Sequence, residues 1–99
     1  MRTIYRYPLD PIPDGDFCLH VSMPEGAEIL AVGPKGDGPV CAWAAVDPGR
    51  KMETRRIYIY GTGHPVKEGL RHISTFQLDG AALVFHAFEP VQTRAPRGG

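Results

Sequence analysis

"RIYIYGTGHP", residues 56–65, is the stretch on which the fold reading turns. Arg56 to Tyr60 alternate so that Ile57 and Ile59 share one face and Tyr58 and Tyr60 the other, the two-residue period of a half-buried strand. Gly61-Thr62-Gly63-His64-Pro65 then breaks the run with turn residues. The same rhythm extends in both directions. Proline and glycine mark turns at residues 8–15, 24–26, 33–39, 48–49, 61–65, 69 and 80. Between them, strands are expected at residues 3–7, 17–23, 27–33, 39–46, 54–60, 72–78 and 81–88. About seven short strands with this turn spacing predict an all-β fold, a small single-domain sandwich or a partly open barrel. "HPVKEGLRHI" (64–73) spaces Val66, Leu70 and Ile73 roughly as a helix would. Gly69 costs about 1 kcal/mol there relative to alanine and limits the segment to one turn.

Alternation also assigns faces. In "FCLHVSM" (17–23), Phe17, Leu19, Val21 and Met23 point one way and Cys18, His20 and Ser22 the other. "ALVFHAF" (82–88) is apolar on both faces, which predicts a central strand covered on two sides with His86 inside it. In "CAWAAV" (41–46) the bulk lies on the Cys41 and Trp43 face, and small Ala42 and Ala44 opposite let a second sheet or a partner pack close. The expected core holds Leu19, Val21, Ile29, Trp43, Ile57, Ile59, Phe76, Leu83 and Phe85.

Ninety-nine residues make one domain, expected over 1–89 with a flexible tail at 90–99. Eleven Lys plus Arg balance eleven Asp plus Glu. No whole-molecule field therefore favours non-specific nucleic-acid or membrane binding, although a local basic patch stays open. Cys18 and Cys41 match no metal or redox spacing, and the N-terminus "MRTIYRYPLDPIPDGDF" has no apolar core of signal-peptide length. A reduced, cytoplasmic protein is expected.

The residue types argue against catalysis. Gly61-x-Gly63 lacks the third glycine of a dinucleotide fingerprint and the Gly-Lys-Ser/Thr of a phosphate loop. Ser22 and Ser74 sit in no nucleophile elbow. His20, His64, His72 and His86 have no close zinc-type spacing. No catalytic residue, metal or cofactor is expected.

Two surfaces remain as binding candidates. Gly61, Thr62, Gly63 and His64 form either a plain turn or a small concavity of backbone amides, a hydroxyl and an imidazole that accepts an anion. Tyr58 and Tyr60, joined by Tyr5 and Tyr7 if strands one and five are neighbours, would make a tyrosine surface rimmed by Arg6, Arg55 and Arg56. Such a mixture stacks bases, marks protein interfaces, or merely finishes the edge of a core. Arg55, Arg56 and Arg71 would suit an acidic protein partner, whereas Gly61 to His64 with the flanking tyrosines would suit a nucleotide.

In order, "YRYPL" (5–9), "MPEGAEILAV" (23–32), "WAAVDP" (43–48), "IYGTGHP" (59–65) and "STFQLDGAALVFHAFE" (74–89) resemble a domain-of-unknown-function family of small proteins abundant in phage and prophage genomes. The likeness spans about residues 3 to 89 and departs from the family pattern at "DPGRKMET" (47–54) and in the tail. It brings no catalytic residue. It implies a phage-encoded protein that acts by binding something of the host. The leading expectation is a non-enzymatic inhibitor of a host defence system, which occludes a defence protein such as a CRISPR effector or sequesters a small anionic nucleotide signal. A virion or assembly module comes second, and a small hydrolase using His64 or His86 third. The short edge strand at 3–7 also predicts a homodimer or larger assembly.

Overall fold

The computed structural model describes residues 1–9, 17–36, 38–78 and 83–91. Among them seven strands and no helix form: β1 (Thr3–Pro8), β2 (Phe17–Pro24), β3 (Glu28–Pro34), β4 (Val40–Val46), β5 (Met52–Gly61), β6 (Leu70–Leu78) and β7 (Leu83–Pro90). They pair as two antiparallel sheets, ordered β1-β4-β3 and β2-β5-β7-β6. The sheets face each other as a small sandwich and do not close into a barrel. The helical spacing at 64–73 yields to a loop and the start of β6. Pro90 completes β7, and the Val91 amide donates to the Gly69 carbonyl at 2.8 Å. The remainder of the expected tail, 92–99, lies outside the described residues.

The core is where the two inner faces meet. The three-stranded sheet supplies Ile29, Val32, Val40, Ala42, Ala44 and Val46, and the four-stranded sheet supplies Val21, Met23, Ile57, Ile59, Phe76, Phe85 and Ala87. Ala42 and Ala44 are fully buried, so the small face of β4 is the one that receives the second sheet. Trp43 consequently points away from the core, paired with Arg6 and Ala31, and is only half-buried. Leu83, at the start of β7, is 39 % exposed, and Leu19 packs half-buried against the cluster. The expected core is corrected at these positions. β7 is central, as its two apolar faces suggested, but only Phe85, Ala87 and Glu89 are buried. Val84, His86 and Phe88 lie half-buried on an outer face that no second layer of described residues covers.

Two bulges break the two-residue period. Ile29 and Val32 are both buried although three apart, because register shifts between Ile29 and Ala31 and leaves Leu30 exposed. Register likewise shifts between His72 and Ser74, which carries His72 and Thr75 to one face of β6. The sheets meet at β3 and β6, where the Val32 amide donates to Ser74 Oγ at 3.0 Å. Gly33 lies against Phe76 at the same seam, where a Cβ would make an ordinary van der Waals contact at 3.4 Å.

One buried charge cluster crosses the sandwich. Arg55 donates from Nη2 to Glu89 Oε1 at 2.9 Å and from Nη1 to the Ala27 carbonyl at 2.7 Å. Glu53 Oε2 lies 3.6 Å from Arg55 Nη1 and accepts from the Gly26 amide at 3.2 Å. Arg71 reaches the second Glu89 oxygen from β6. The side chains of Arg55 and Glu89 are 9 % and 3 % exposed.

Arg55→Met leaves Glu89 buried with Arg71 alone and is expected to lower stability by about 3 kcal/mol in urea denaturation. Arg55→Met with Glu89→Leu should recover most of that loss, because both buried charges leave together. Ala42→Leu should cost about 1–3 kcal/mol by overpacking the fully buried face of β4.

Candidate binding face

The outer face of the four-stranded sheet is built from the residues that alternate away from the core. Cross-strand register sets Cys18, Tyr58, Phe88 and His72 in one row and Tyr60, His86 and Thr75 in the next. Directly opposed side chains lie about 4.5–5.5 Å apart at Cβ, close enough for the rings to touch. Tyr60 meets Phe88 edge-on at 5.8 Å between centroids, and His72 meets the same ring at 5.3 Å. Tyr58, Tyr60, Phe88 and His86 are half-buried, and His72 is exposed. Lys67 Nζ lies 5.2 Å from the centroid of Tyr58, and the Lys67 amide donates to the Tyr60 hydroxyl at 3.4 Å. The loop after β5 is thereby held against the aromatic patch.

Charge is segregated between the two faces of this sheet. Glu53 and Glu89 are the acidic residues of its strands, and both turn to Arg55 on the inner side. The outward positions carry Arg56 and the histidines 20, 72 and 86. An anion approaching this face meets cations and rings without an opposing carboxylate from the strands.

Four side chains on the face form a hydrogen-bonded series. His72 Nε2 is 2.9 Å from Thr75 Oγ1, which is 2.9 Å from His86 Nδ1. His86 Nε2 is 2.8 Å from Thr62 Oγ1, and that hydroxyl donates to the Val84 carbonyl at 3.5 Å. Both ring nitrogens of His86 are therefore engaged.

The segment 61–64 is a tight turn closed by the His64 amide donating to the Gly61 carbonyl at 3.3 Å. Gly63 has a φ of 89°, a conformation that side chains with a Cβ resist. Gly61 serves differently: a Cβ on it would sit 3.3 Å from the His64 ring, so its bareness makes room for the imidazole. A separate groove of about 460 Å³ lies between Pro8–Leu9 and Cys18–Ser22, with none of the aromatic patch in its lining.

Of the candidates read from sequence, Tyr58, Tyr60 and Thr62 come together on or beside this face, with Gly61, Gly63 and His64 shaping the turn at its end. Arg56 shares the face, opposite His20. Arg55 points inward because it alternates with Ile57 and Ile59, and Arg71 is held by Glu89, so Arg55, Arg56 and Arg71 do not share one face. The four-tyrosine surface does not form either, since β1 pairs with β4 in the other sheet. Tyr5 and Tyr7 pack against each other there, with centroids 6.4 Å apart. Burial, and secondarily the neighbouring Tyr5, raise the Tyr7 phenol above its usual range. His86 is not enclosed on two sides. Phe88, Lys67 and the linkage of His72 to His86 through Thr75 escaped the sequence reading. His72 and Thr75 are three residues apart, a spacing that strict alternation sends to opposite faces.

Among the described residues no group of three or more His, Cys, Asp or Glu side chains could hold a metal ion. Cys18 and Cys41 are free thiols in different sheets. No helix of the described residues is long and apolar enough to cross a membrane. The chain belongs to a family described as "Domain of unknown function (DUF7352)", whose model matches residues 1–98. No curated protein and no solved structure matches it.

The two glycines of the turn should separate experimentally. Gly63→Ala is expected to cost about 1 kcal/mol or more in thermal unfolding through backbone strain, and Gly63→Asn less. Gly61→Ala should cost less than Gly63→Ala while moving the His64 ring resonances, because it crowds the imidazole and imposes no left-handed conformation.

Proposed function

We propose that this protein is a non-enzymatic binding protein whose working surface is the outer face of β5, β7 and β6, and whose ligand is a nucleotide. The observation that carries this reading is the patch of half-open rings, Tyr58, Tyr60 and Phe88, bordered by Lys67 and Arg56, on a sheet face whose strands present no carboxylate. Aromatic side chains on a sheet stack nucleobases for about 1–3 kcal/mol each, and neighbouring cations hold phosphates. The competing reading, occlusion of an acidic protein surface, relied on Arg55, Arg56 and Arg71. Two of these are engaged by Glu89. A role for His86 as a general base is disfavoured because threonine hydroxyls occupy both of its ring nitrogens.

The resemblance to phage and prophage proteins supplies the setting: sequestration, in the cytoplasm of a host cell, of a nucleotide signal that would trigger defence. The second reading, an assembly module, draws on β2. This edge strand of eight residues carries no lysine, arginine or carboxylate to discourage pairing with another copy.

Native mass spectrometry of protein purified from its host, with calorimetric titration of mono- and cyclic nucleotides, tests these readings together. The expected outcome is a retained nucleotide, with affinity about tenfold weaker in Tyr60→Ala or Lys67→Ala and thermal stability nearly intact. Silent titrations with a co-purified host protein would overturn the nucleotide reading in favour of occlusion. A mass that is a multiple of the chain with no other component would favour assembly, and consumption of the nucleotide would make the protein an enzyme.

A further inference from the structure

Among the described residues the two sheets have edge strands β1, β3, β2 and β6, and they differ in what they offer to a further strand. An edge presents the N–H and C=O groups of every second residue, and one cross-strand bond fixes which residues those are. In β1 the Leu9 amide donates to the Val40 carbonyl, so Tyr5 and Tyr7 face β4 and the open side falls to Ile4, Arg6 and Pro8. Arg6 is charged there and Pro8 has no amide. In β3 the Lys35 amide donates to the Pro39 carbonyl, which turns Val32 and Pro34 outward. Ser74 already takes the Val32 amide, Pro34 has none, and the bulge at Leu30 interrupts the rest. β6 is broken by its own bulge, and Ser74 beside that bulge meets β3. β2 has none of these guards. Its register with β5 runs unbroken, and it contains no Lys, Arg, Asp or Glu.

The phase of β2 follows from the Glu25 amide, which donates to the Lys51 carbonyl at 2.8 Å just beyond the strand. Bonded and non-bonded pairs alternate in an antiparallel ladder, so Met23, Val21 and Leu19 exchange bonds with β5. Cys18, His20 and Ser22 direct their amides and carbonyls to the open edge. His20 and Ser22 are exposed. Alongside them runs the groove of about 460 Å³ between Pro8–Leu9 and Cys18–Ser22, so there is room for a chain beside these groups.

We infer that a second copy of this chain fills that edge: two β2 strands pair antiparallel about a two-fold axis at His20. Counting amides selects the register. Centred on His20, Cys18 meets Ser22 of the second copy and His20 meets its own counterpart, and each such pair exchanges both of its bonds. Centred on Val21, Cys18 would meet Pro24, which has no amide to give. Centred on Leu19, Ser22 would fall opposite position 16, outside β2. The register at His20 also sets Leu19 against Val21 of the second copy on the inner side, and it opposes no two residues of like formal charge. The four-stranded sheets of the two copies then continue as one, with their outer faces joined. Because His20 is paired with Arg56 in each copy, the row across the axis reads Arg56, His20, His20, Arg56. The pairing stands apart from the nucleotide reading. Taken with it, a bound phosphate would meet cations from both copies.

Sedimentation velocity from micromolar to millimolar protein, with no ligand, is expected to show a reversible monomer–dimer equilibrium. Ser22→Pro removes an amide that faces only the open edge, so dilute protein should keep its unfolding midpoint while dimerisation weakens about tenfold or more. Val21→Pro removes an amide bonded to β5 and should unfold the chain. Cysteine scanning reads the register without proline. In a Cys18→Ser background, with Cys41 buried, a short bifunctional thiol reagent should link His20→Cys into a covalent dimer. Ser22→Cys should stay unlinked, because its two copies lie about 14 Å apart along the seam. A monomer at millimolar concentration, a stable fold in Val21→Pro, or linkage at Ser22→Cys in preference to His20→Cys would each overturn the inference. So would a dimer that a folded Ser22→Pro leaves unchanged. No nucleotide enters these measurements, so failed pairing and a failed nucleotide titration remain distinct results.

Discussion

The buried pairing of Arg55 with Glu89 is the constraint on which the arrangement of this protein depends. A guanidinium and a carboxylate withdrawn from water cost several kcal/mol each unless their hydrogen-bonding capacity is met. Here Arg55 is met by Glu89 and the Ala27 carbonyl with Glu53 close by, and Glu89 by Arg55 and Arg71. Among the described residues no buried side-chain polar atom lacks a partner. β5, β6, β7 and the turn leading into β3 therefore have little freedom relative to one another. The turn must deliver its carbonyl where Arg55 ends, and this ties the path between the sheets to the interior of the larger one.

The same pairing orients the binding face. With Arg55 turned inward, the two-residue period of β5 sends Tyr58 and Tyr60 out. With Glu89 inward, β7 sends His86 and Phe88 out. The acidic side chains of the sheet are consumed on one side, and the other side keeps aromatic rings, imidazoles and Arg56. The charge asymmetry of the face is thus a consequence of how the core neutralises itself, in a chain whose total charge is zero. The bulge at Ile73 adds the remaining element by rotating His72 onto the face already holding Thr75. A single displaced residue in β6 converts two unrelated histidines into a linked pair.

Much of the fold was legible because strand formation here is local. The run from Arg56 to Tyr60 declares its faces by alternation, and the glycine and proline clusters mark where the strands end. The small face of "CAWAAV" announced a close neighbour, which the second sheet provides. Even the inward direction of Arg55 is implicit in its phase with Ile57 and Ile59, although the sequence reading sets it on the rim of the tyrosine surface. What compels it inward is Glu89, thirty-four positions away along the chain. Phase alone does not name that partner.

Tertiary structure decided which strands are neighbours and where the period slips. β1 lies beside β4, so Tyr5 and Tyr7 never join Tyr58 and Tyr60. β7 lies between β5 and β6, so Phe88 and His86 enter the patch between Tyr58, Tyr60 and the β6 residues. By itself the sequence determined the all-β class, the turns, and which side chains of each regular strand share a face, because these follow from backbone geometry within a few residues. Strand order, the bulges at Leu30 and Ile73, and the His72–Thr75–His86–Thr62 series were settled only on assembly. They depend on cross-strand hydrogen bonds and on pairing buried charge, and both join residues far apart in the chain.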